Sequence, residues 1–159
     1  MTVSPLPDNC SELPVAGCLL GIDFGTKRIG VAVSDTRQRL AGPLNNYQRN
    51  GLQADERFFR RLAEDYHPVG IVVGLPLHMD GRESTKSREA REFGNWLHRI
   101  TSLPIDYHDE RCTSVQAESI LLQAELTSKQ RKARTDKVAA QILLQAFLDK
   151  RMPPSESPA

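Results

Sequence analysis

The sequence predicts an α/β domain built on a mixed five-stranded sheet with helices on both faces. Two observations carry this prediction. Three short apolar segments separated by turn residues come first, which is typical of antiparallel strands. Further along, short apolar runs alternate with segments in which apolar residues recur every three to four positions, which indicates strands joined by helices. The expected sheet therefore has three antiparallel strands followed by two parallel ones.

The elements follow from local patterns along the chain. The antiparallel part is a hairpin and a third strand, expected at residues 18–24, 29–34 and 40–47. The two parallel strands are expected at 69–74 and 104–109. Helices are expected at 51–66, 84–100, from Thr113 onward, and 136–150, with a basic loop at 127–135. Asn50 with Gln53, and Thr113 with Gln116, are predicted to form capping boxes at two of these helices.

Composition indicates one globular domain with two tails. Six of the ten prolines lie outside residues 18–150, which predicts flexible tails at 1–17 and 151–159 around that domain. There is no apolar run of about 18 residues and no secretory signal, so a cytoplasmic protein without a membrane partner is expected. The three scattered cysteines fit a reducing compartment. Outside the tails basic residues slightly outnumber acidic ones, which mildly favours a polyanionic partner.

Asp23 is an acid inside an otherwise apolar strand. An ionised carboxylate there loses its hydration, at a cost of several kcal/mol, unless a cation or strong donors compensate. Side-chain alternation places Asp23 on the face that also carries Gly21. The neighbouring strand adds more small residues to that face, namely Gly30, Ala32 and Ser34. This pattern predicts room for a ligand beside Asp23, and the alternative is an ion pair with Lys27 or Arg28 across the hairpin.

The glycines of this hairpin do not form a nucleotide-binding loop. Gly25 and Gly30 have the spacing of a Walker loop, but Val31 and Ala32 replace the residues that hold phosphate and magnesium. No G-x-G-x-x-G sequence occurs either. Both nucleotide-binding interpretations are therefore excluded on the residues present.

Three acids lie where separate elements end, at Asp23, Glu110 and Asp136. Open α/β sheets form their sites at the carboxyl ends of parallel strands. Carboxylate oxygens suit Mg²⁺ or Mn²⁺, and two such ions can support phosphodiester cleavage. Each acid also has a structural interpretation, since Glu110 could pair with Arg111 and Asp136 could favour a helix N-terminus. Asp109 is as plausible as Glu110 on position alone.

Four segments resemble the signature blocks of the YqgF/RuvX family. They are GIDFGTKRIGVAVSD, IVVGLPLHMDG, DERCTSVQAE and DKVAAQILLQAFL, and the resemblance covers essentially residues 18–149. It implies a ribonuclease H-like fold. It also implies a relationship to Holliday-junction resolvases and a nuclease activity that matures the 5′ end of pre-16S ribosomal RNA. Asp23, Glu110 and Asp136 match the family's metal-binding acids, which favours Glu110 over Asp109. Small departures occur at His78, Cys112 and Ser114.

The resulting prediction is a nuclease with two Mg²⁺ or Mn²⁺ ions on these three acids. Its expected partners are precursor ribosomal RNA or branched DNA, and precursors of ribosomal subunits, with a monomer and a homodimer both open. The candidate substrate-binding residues are basic, namely Lys27, Arg28, Arg111, Lys129, Arg131, Lys132 and Arg134.

Three other functions compete with this prediction. A Holliday-junction resolvase would use the same metal chemistry on a four-way junction. A sugar kinase or actin-like ATPase shares the Asp-x-Gly-Thr of residues 23–26, but such proteins need two lobes of this size to enclose ATP. A ribosome-assembly factor could bind nucleic acid without cutting it, although the low aromatic content makes stacking platforms for single strands less expected.

Overall fold

A computed structural model of the chain describes residues 13–76, 82, 84–109 and 128–151, with side chains from residue 137 onward in the last range. Strands are labelled β and helices α in chain order. The elements are β1 (Leu19–Asp23), β2 (Arg28–Ser34), β3 (Ala41–Gln48), α1 (Leu52–Tyr66), β4 (Gly70–Leu75), α2 (Thr85–Thr101), β5 (Ile105–Asp109) and α3 (Ser128–Arg151). The helix and capping box expected from Thr113 onward lie outside the described residues.

The five strands form one mixed sheet in the order β3-β2-β1-β4-β5. β1 pairs with β2, and β2 with β3, in antiparallel fashion. β4 runs parallel to both β1 and β5. The predicted mixed five-stranded sheet is therefore confirmed. Because β1, β4 and β5 are parallel, their carboxyl ends lie at the same edge of the sheet.

Helices cover both faces of this sheet. On one face, α1 and α2 bury side chains such as Phe59 and Leu97 against Ile22 and Val73. On the other face, α3 packs Leu144 and its neighbours on the alternate residues of the same strands. Each fully buried large aliphatic or aromatic side chain contributes about 1.5–3 kcal/mol to folding. The sheet is thus buried on both sides, as the continuous apolar runs of β1 and β4 predict. No helix within the described ranges is both long enough and apolar enough to cross a membrane.

β1 and α3 approach each other closely at Gly21. A Cβ atom at this position would lie 2.8 Å from Leu144 Cβ and 3.2 Å from the carbonyl oxygen of Ala140. Ala32, the residue opposite Gly21 on β2, is fully buried in the same layer. The room predicted for a ligand is thus occupied by α3 at these two positions, because small residues let the helix backbone come near the sheet.

Two helices begin elsewhere than the sequence predicts. The capping box at Asn50 is wrong, because Gly51 is the N-cap of α1, with a φ of 92° and no side-chain cap. The basic loop at 127–135 is also wrong, because α3 already begins at Ser128 instead of Asp136. Lys, Arg, Gln and Ala dominate that segment and favour helix, and it contains neither Gly nor Pro.

The described parts of the predicted tails are packed against the domain. Leu13 is 3% exposed and joins the core beneath α3. Arg151 donates hydrogen bonds from Nη2 to the carbonyl oxygen of Leu13, at 2.7 Å, and from Nη1 to Oε1 of Gln38, at 3.0 Å. Gln38 in turn donates to the carbonyl oxygen of Pro14, at 2.7 Å. Within the ends that the proline content predicts to be flexible, these contacts join Leu13, Pro14 and Arg151 to the domain.

Candidate active site

Asp23 is the last residue of β1 and is half-buried at the carboxyl edge of the sheet. Its Cα is paired with Gly30 of β2, and Gly30 is paired with Asn46 of β3. Gly30 adds no side chain beside the Asp23 carboxylate. Asp23 shares its face of the sheet with Gly21, which lies against α3. The Asp23 carboxylate therefore lies on the face of the sheet that α3 covers, at the carboxyl end of β1.

The backbone of α3 reaches the same row of residues. The amide nitrogen of Lys137 donates a hydrogen bond to Oδ1 of Asn46 at 2.6 Å. Adjacent strands lie about 4.8 Å apart, so Asn46 is roughly 10 Å from Asp23 across the sheet. From the contact at Gly21, α3 therefore runs back toward the Asp23 end of β1. Asp136 precedes Lys137, so its backbone lies over this end of the sheet, while its side chain lies outside the described set.

β5 ends at the same edge of the sheet. Leu75 at the end of β4 is paired with Asp109, the last residue of β5, and Ile22 of β1 is aligned with Val73 of β4. The three parallel strands therefore end within about two residues of one another. Glu110 follows Asp109 directly, and its own placement falls beyond the described residues.

Asp109 lies on the opposite face of the sheet from Asp23. The hydroxyl of Tyr107 donates to the carbonyl oxygen of Arg91 in α2 at 3.1 Å, so Tyr107 faces α2. The ring of His108 lies edge-on to Phe147 of α3, with 6.4 Å between centroids. Side-chain alternation returns Asp109 to the α2 face. This geometry weighs against Asp109 as a partner of Asp23, which sequence position alone had left open.

His108 is a buried residue of this region that the sequence analysis did not single out. It is 5% exposed, and its Nε2 has no hydrogen-bond partner among the residues that the structure describes. Burial, followed by the charge of Lys150, lowers the pKa of His108, while Asp109 and Asp106 act in the opposite direction. The neutral imidazole is therefore favoured. Only its position in a strand next to Asp109 hinted at a special role, and many buried histidines share such a position.

Two cations lie within five residues of Asp23 along the chain, Lys27 in the β1–β2 turn and Arg28 at the start of β2. Both are exposed. Lys27 also accepts a hydrogen bond at its carbonyl oxygen from the amide nitrogen of Arg49, at 2.9 Å. Both residues are thus exposed to solvent at this edge of the sheet. The side chains of the other candidate substrate-binding residues lie outside the described set; these residues are Arg111, Lys129, Arg131, Lys132 and Arg134. The side chains of His78 and Cys112 lie outside it as well.

The described side chains alone do not form a metal centre. Among them, no group of three or more His, Cys, Asp or Glu side chains could hold a metal ion. Two of the three predicted acids, Glu110 and Asp136, have side chains outside that set, so the proposed ligand set stays a prediction. What the structure does show fits a hard divalent ion. An oxygen donor, Asp23, lies at the edge where β5 ends with Asp109, and the backbone of α3 next to Asp136 lies over the same edge.

Comparisons with known sequences identify relatives along almost the whole chain. The family model described as "RuvX: Holliday junction resolvase" matches residues 17–150. A Rhodopirellula baltica protein named "Putative pre-16S rRNA nuclease" is 44% identical over 136 residues, which cover 86% of this chain and 79% of that protein. A Rhodobacter capsulatus protein of the same name is 40% identical over 145 residues, which cover 91% of each chain.

Solved structures with the same fold share little sequence with this chain. RuvC of T. thermophilus, solved in complex with a Holliday junction substrate, superposes with a TM-score of 0.54 at 14% identity, over 84% of this chain and 95% of RuvC. The Fowlpox virus resolvase, in complex with substrate Holliday junction DNA, gives a TM-score of 0.53 at 13% identity, over 86% and 99% of the two chains. These neighbours confirm the predicted ribonuclease H-like fold. With that fold and a family match over residues 17–150, the chain belongs to the RuvX family.

Proposed function

We propose that this chain is a divalent-metal-dependent nuclease that processes the 5′ end of pre-16S ribosomal RNA. The family match and the names of its relatives support a hydrolase acting on nucleic acid ester bonds. The observation that carries the proposal is the position of Asp23. It ends β1 at the edge where β4 and β5 also end and above which α3 passes. The proposed substrate places the protein in the cytoplasm, with precursors of the small ribosomal subunit as partners.

Asp23, Glu110 and Asp136 would hold the Mg²⁺ or Mn²⁺ ions, which two-ion sites use to activate water and to stabilise the leaving oxygen. The protein's own contribution would be to hold these carboxylates together at the carboxyl edge of the sheet. Lys27 and Arg28, which are exposed and follow Asp23 closely along the chain, would offset the charge of the bound phosphates. Substrate binding should therefore weaken as the salt concentration rises.

The experiment is cleavage of a pre-16S leader RNA in Mn²⁺ by the wild type and four matched variants. Asp23→Asn and Glu110→Gln should each abolish cleavage, because an amide binds a divalent ion far more weakly than a carboxylate does. Asp109→Asn should retain it, because Asp109 lies on the other face of the sheet. Asp65→Asn, at an exposed position of α1, is the charge control. Wild-type cleavage by Asp23→Asn would refute the proposed site, and no cleavage by the wild type would indicate a non-catalytic assembly factor.

The description of the matching family favours a second candidate, a Holliday-junction resolvase. A resolvase must cut two symmetric strands, so it is expected to act as a dimer. The same enzyme preparation is therefore incubated with a four-way DNA junction and analysed by sedimentation with and without that DNA. Symmetric nicking by a dimer would favour the resolvase, whereas cleavage of the leader RNA alone would favour the proposed function.

A further inference from the structure

Arg49 is a cation beside the candidate site to which the sequence analysis gave no role. It follows β3 directly, and its amide nitrogen donates to the carbonyl oxygen of Lys27 at 2.9 Å. Lys27 lies in the turn that leaves Asp23. The backbone of Arg49 is thus joined to the segment that carries Asp23 and the exposed cations Lys27 and Arg28.

A buried carboxylate fixes the guanidinium of Arg49. Nε donates to Oδ2 of Asp55 at 2.9 Å, and Asp55, in the first turn of α1, is fully buried. The other carboxylate oxygen, Oδ1, accepts hydrogen bonds from the hydroxyl of Tyr47, at 2.8 Å, and from the amide nitrogen of Asn50, at 3.3 Å. Because both oxygens are engaged, Asp55 forms a rigid anchor for Nε.

Two aromatic rings hold the same guanidinium from another side. Its Cζ lies 5.4 Å from the ring centroid of Phe24 and 5.6 Å from that of Phe93, within the range of cation–π attraction. The two rings stack on each other with 4.8 Å between centroids. Phe24 is the residue next to Asp23. The charge of Arg49 is therefore held at a fixed place at the carboxyl end of β1.

The hydrogen-bonding capacity of Arg49 is mostly unused. Of its five N–H donors, only Nε–H has a partner within the described part of the chain. The Arg49 side chain is 22% exposed, so part of it reaches solvent. An ion pair with Asp55 alone would not need the planar fork of the two Nη atoms. That fork matches the two oxygens of a phosphodiester, which arginine binds through paired, charge-assisted hydrogen bonds.

We propose that Arg49 binds a backbone phosphate of the nucleic acid where the strand crosses the carboxyl edge of the sheet, on the α1 and α2 side of Asp23. This inference rests on the proposed nuclease function. Asp55, Phe24 and Phe93 orient the guanidinium before the substrate arrives, so little side-chain entropy is lost on binding. Arg49 then sets the path of the strand across the edge of the sheet.

The test measures binding of a labelled pre-16S leader RNA across a series of salt concentrations, in the Asp23→Asn background so that the RNA stays intact. Arg49→Gln should weaken binding about tenfold or more, because one phosphate contact is lost. The salt slope, which is the slope of the logarithm of the binding constant against the logarithm of the salt concentration, should decrease in magnitude by about one. Arg49→Lys keeps the charge near Asp55 but lacks the fork, and should weaken binding about fivefold with an unchanged slope. Arg60→Gln removes an exposed cation of α1 and should change neither quantity.

Melting curves of the same variants separate this role from a structural one. Loss of thermal stability in both Arg49 variants, with wild-type affinity and salt slope, would overturn the inference. If Arg49→Gln does not fold, Arg49→Lys decides the question, since wild-type affinity in that variant would also overturn it. The nuclease proposal fails separately, through absence of RNA cleavage by the wild type, and that result does not depend on Arg49.

Discussion

Gly21→Ala tests the close contact between β1 and α3 on which the candidate site depends. The added Cβ would lie 2.8 Å from Leu144 Cβ, whereas ordinary contacts begin at 3.4 Å. Both partners are fixed, since Leu144 is fully buried and Gly21 lies within a strand paired on both sides. The helix must therefore move away from the sheet by roughly 0.6 Å, the difference between those two distances.

Gly21→Ala is expected to lower both the thermal stability of the protein and its rate of RNA cleavage. Overpacking of this kind destabilises a protein by about 1–3 kcal/mol. For a chain of this size each kcal/mol lowers the melting temperature by about 2–4 °C, so a loss of roughly 2–12 °C is expected. The same shift moves the backbone next to Asp136 relative to Asp23. Since a displacement of about 1 Å can cost about a hundredfold in rate, a decrease in RNA cleavage of roughly tenfold or more should follow.

Gly42→Ala is the matched control for this prediction. Gly42 lies in β3, and a Cβ built there has no heavy atom of the described residues within 4 Å, apart from Gly42 itself and its two neighbours in the chain. Its stability should stay within about 0.5 kcal/mol of the wild type, with unchanged cleavage. Thermal melts and cleavage rates in Mn²⁺ are compared for the three proteins. If Gly21→Ala melts and cleaves as Gly42→Ala does, α3 does not pack on β1 as described.

Two further predictions concern residues that the structure added to the site. Asn46→Ala removes the acceptor of the Lys137 amide, so its free energy of unfolding in urea should fall by about 1 kcal/mol, with a larger relative loss of cleavage rate. The control Asn45→Ala, at an exposed position, should change neither quantity. Wild-type cleavage by Asn46→Ala would show that this bond does not position α3. Burial lowers the pKa of His108, so the unfolded chain takes up its proton first as the pH falls. The free energy of unfolding in EDTA should therefore decrease below about pH 6.5, and His108→Gln should decrease less, whereas identical pH profiles would contradict the buried neutral state.

Much of the fold was predictable because local patterns determine it. The buried strands show continuous apolar runs, and the helices show helical periodicity, so the positions of the five strands and of α1 and α2 agree with the structure to within a residue or two. α3 is the exception, since a run of basic residues looks like a loop although each residue favours helix. Asp23 was predictable as a candidate because a charged residue in a buried strand is costly unless it has a function or a partner.

The tertiary contacts of the site were not predictable from these patterns. Arg49 becomes distinctive only through Asp55 of α1, Phe93 of α2 and Phe24, which follows β1. The small residues beside Asp23 suggested space, but the sequence did not show that α3 occupies it at Gly21. The packing of residues 13–17 depends on Arg151, which is 138 positions away from Leu13. Such contacts depend on how the elements assemble, and local composition carries little information about that.

The most direct test of the metal site is a crystal structure of the wild-type protein soaked in Mn²⁺, with anomalous data to locate the ions. The proposed site predicts Mn²⁺ bound by the carboxylates of Asp23, Glu110 and Asp136. The Asp23→Asn protein, soaked in the same way, should show weaker or absent anomalous peaks there. An Asp23 carboxylate paired with Lys27 or Arg28, with no Mn²⁺ nearby, would contradict the central claim.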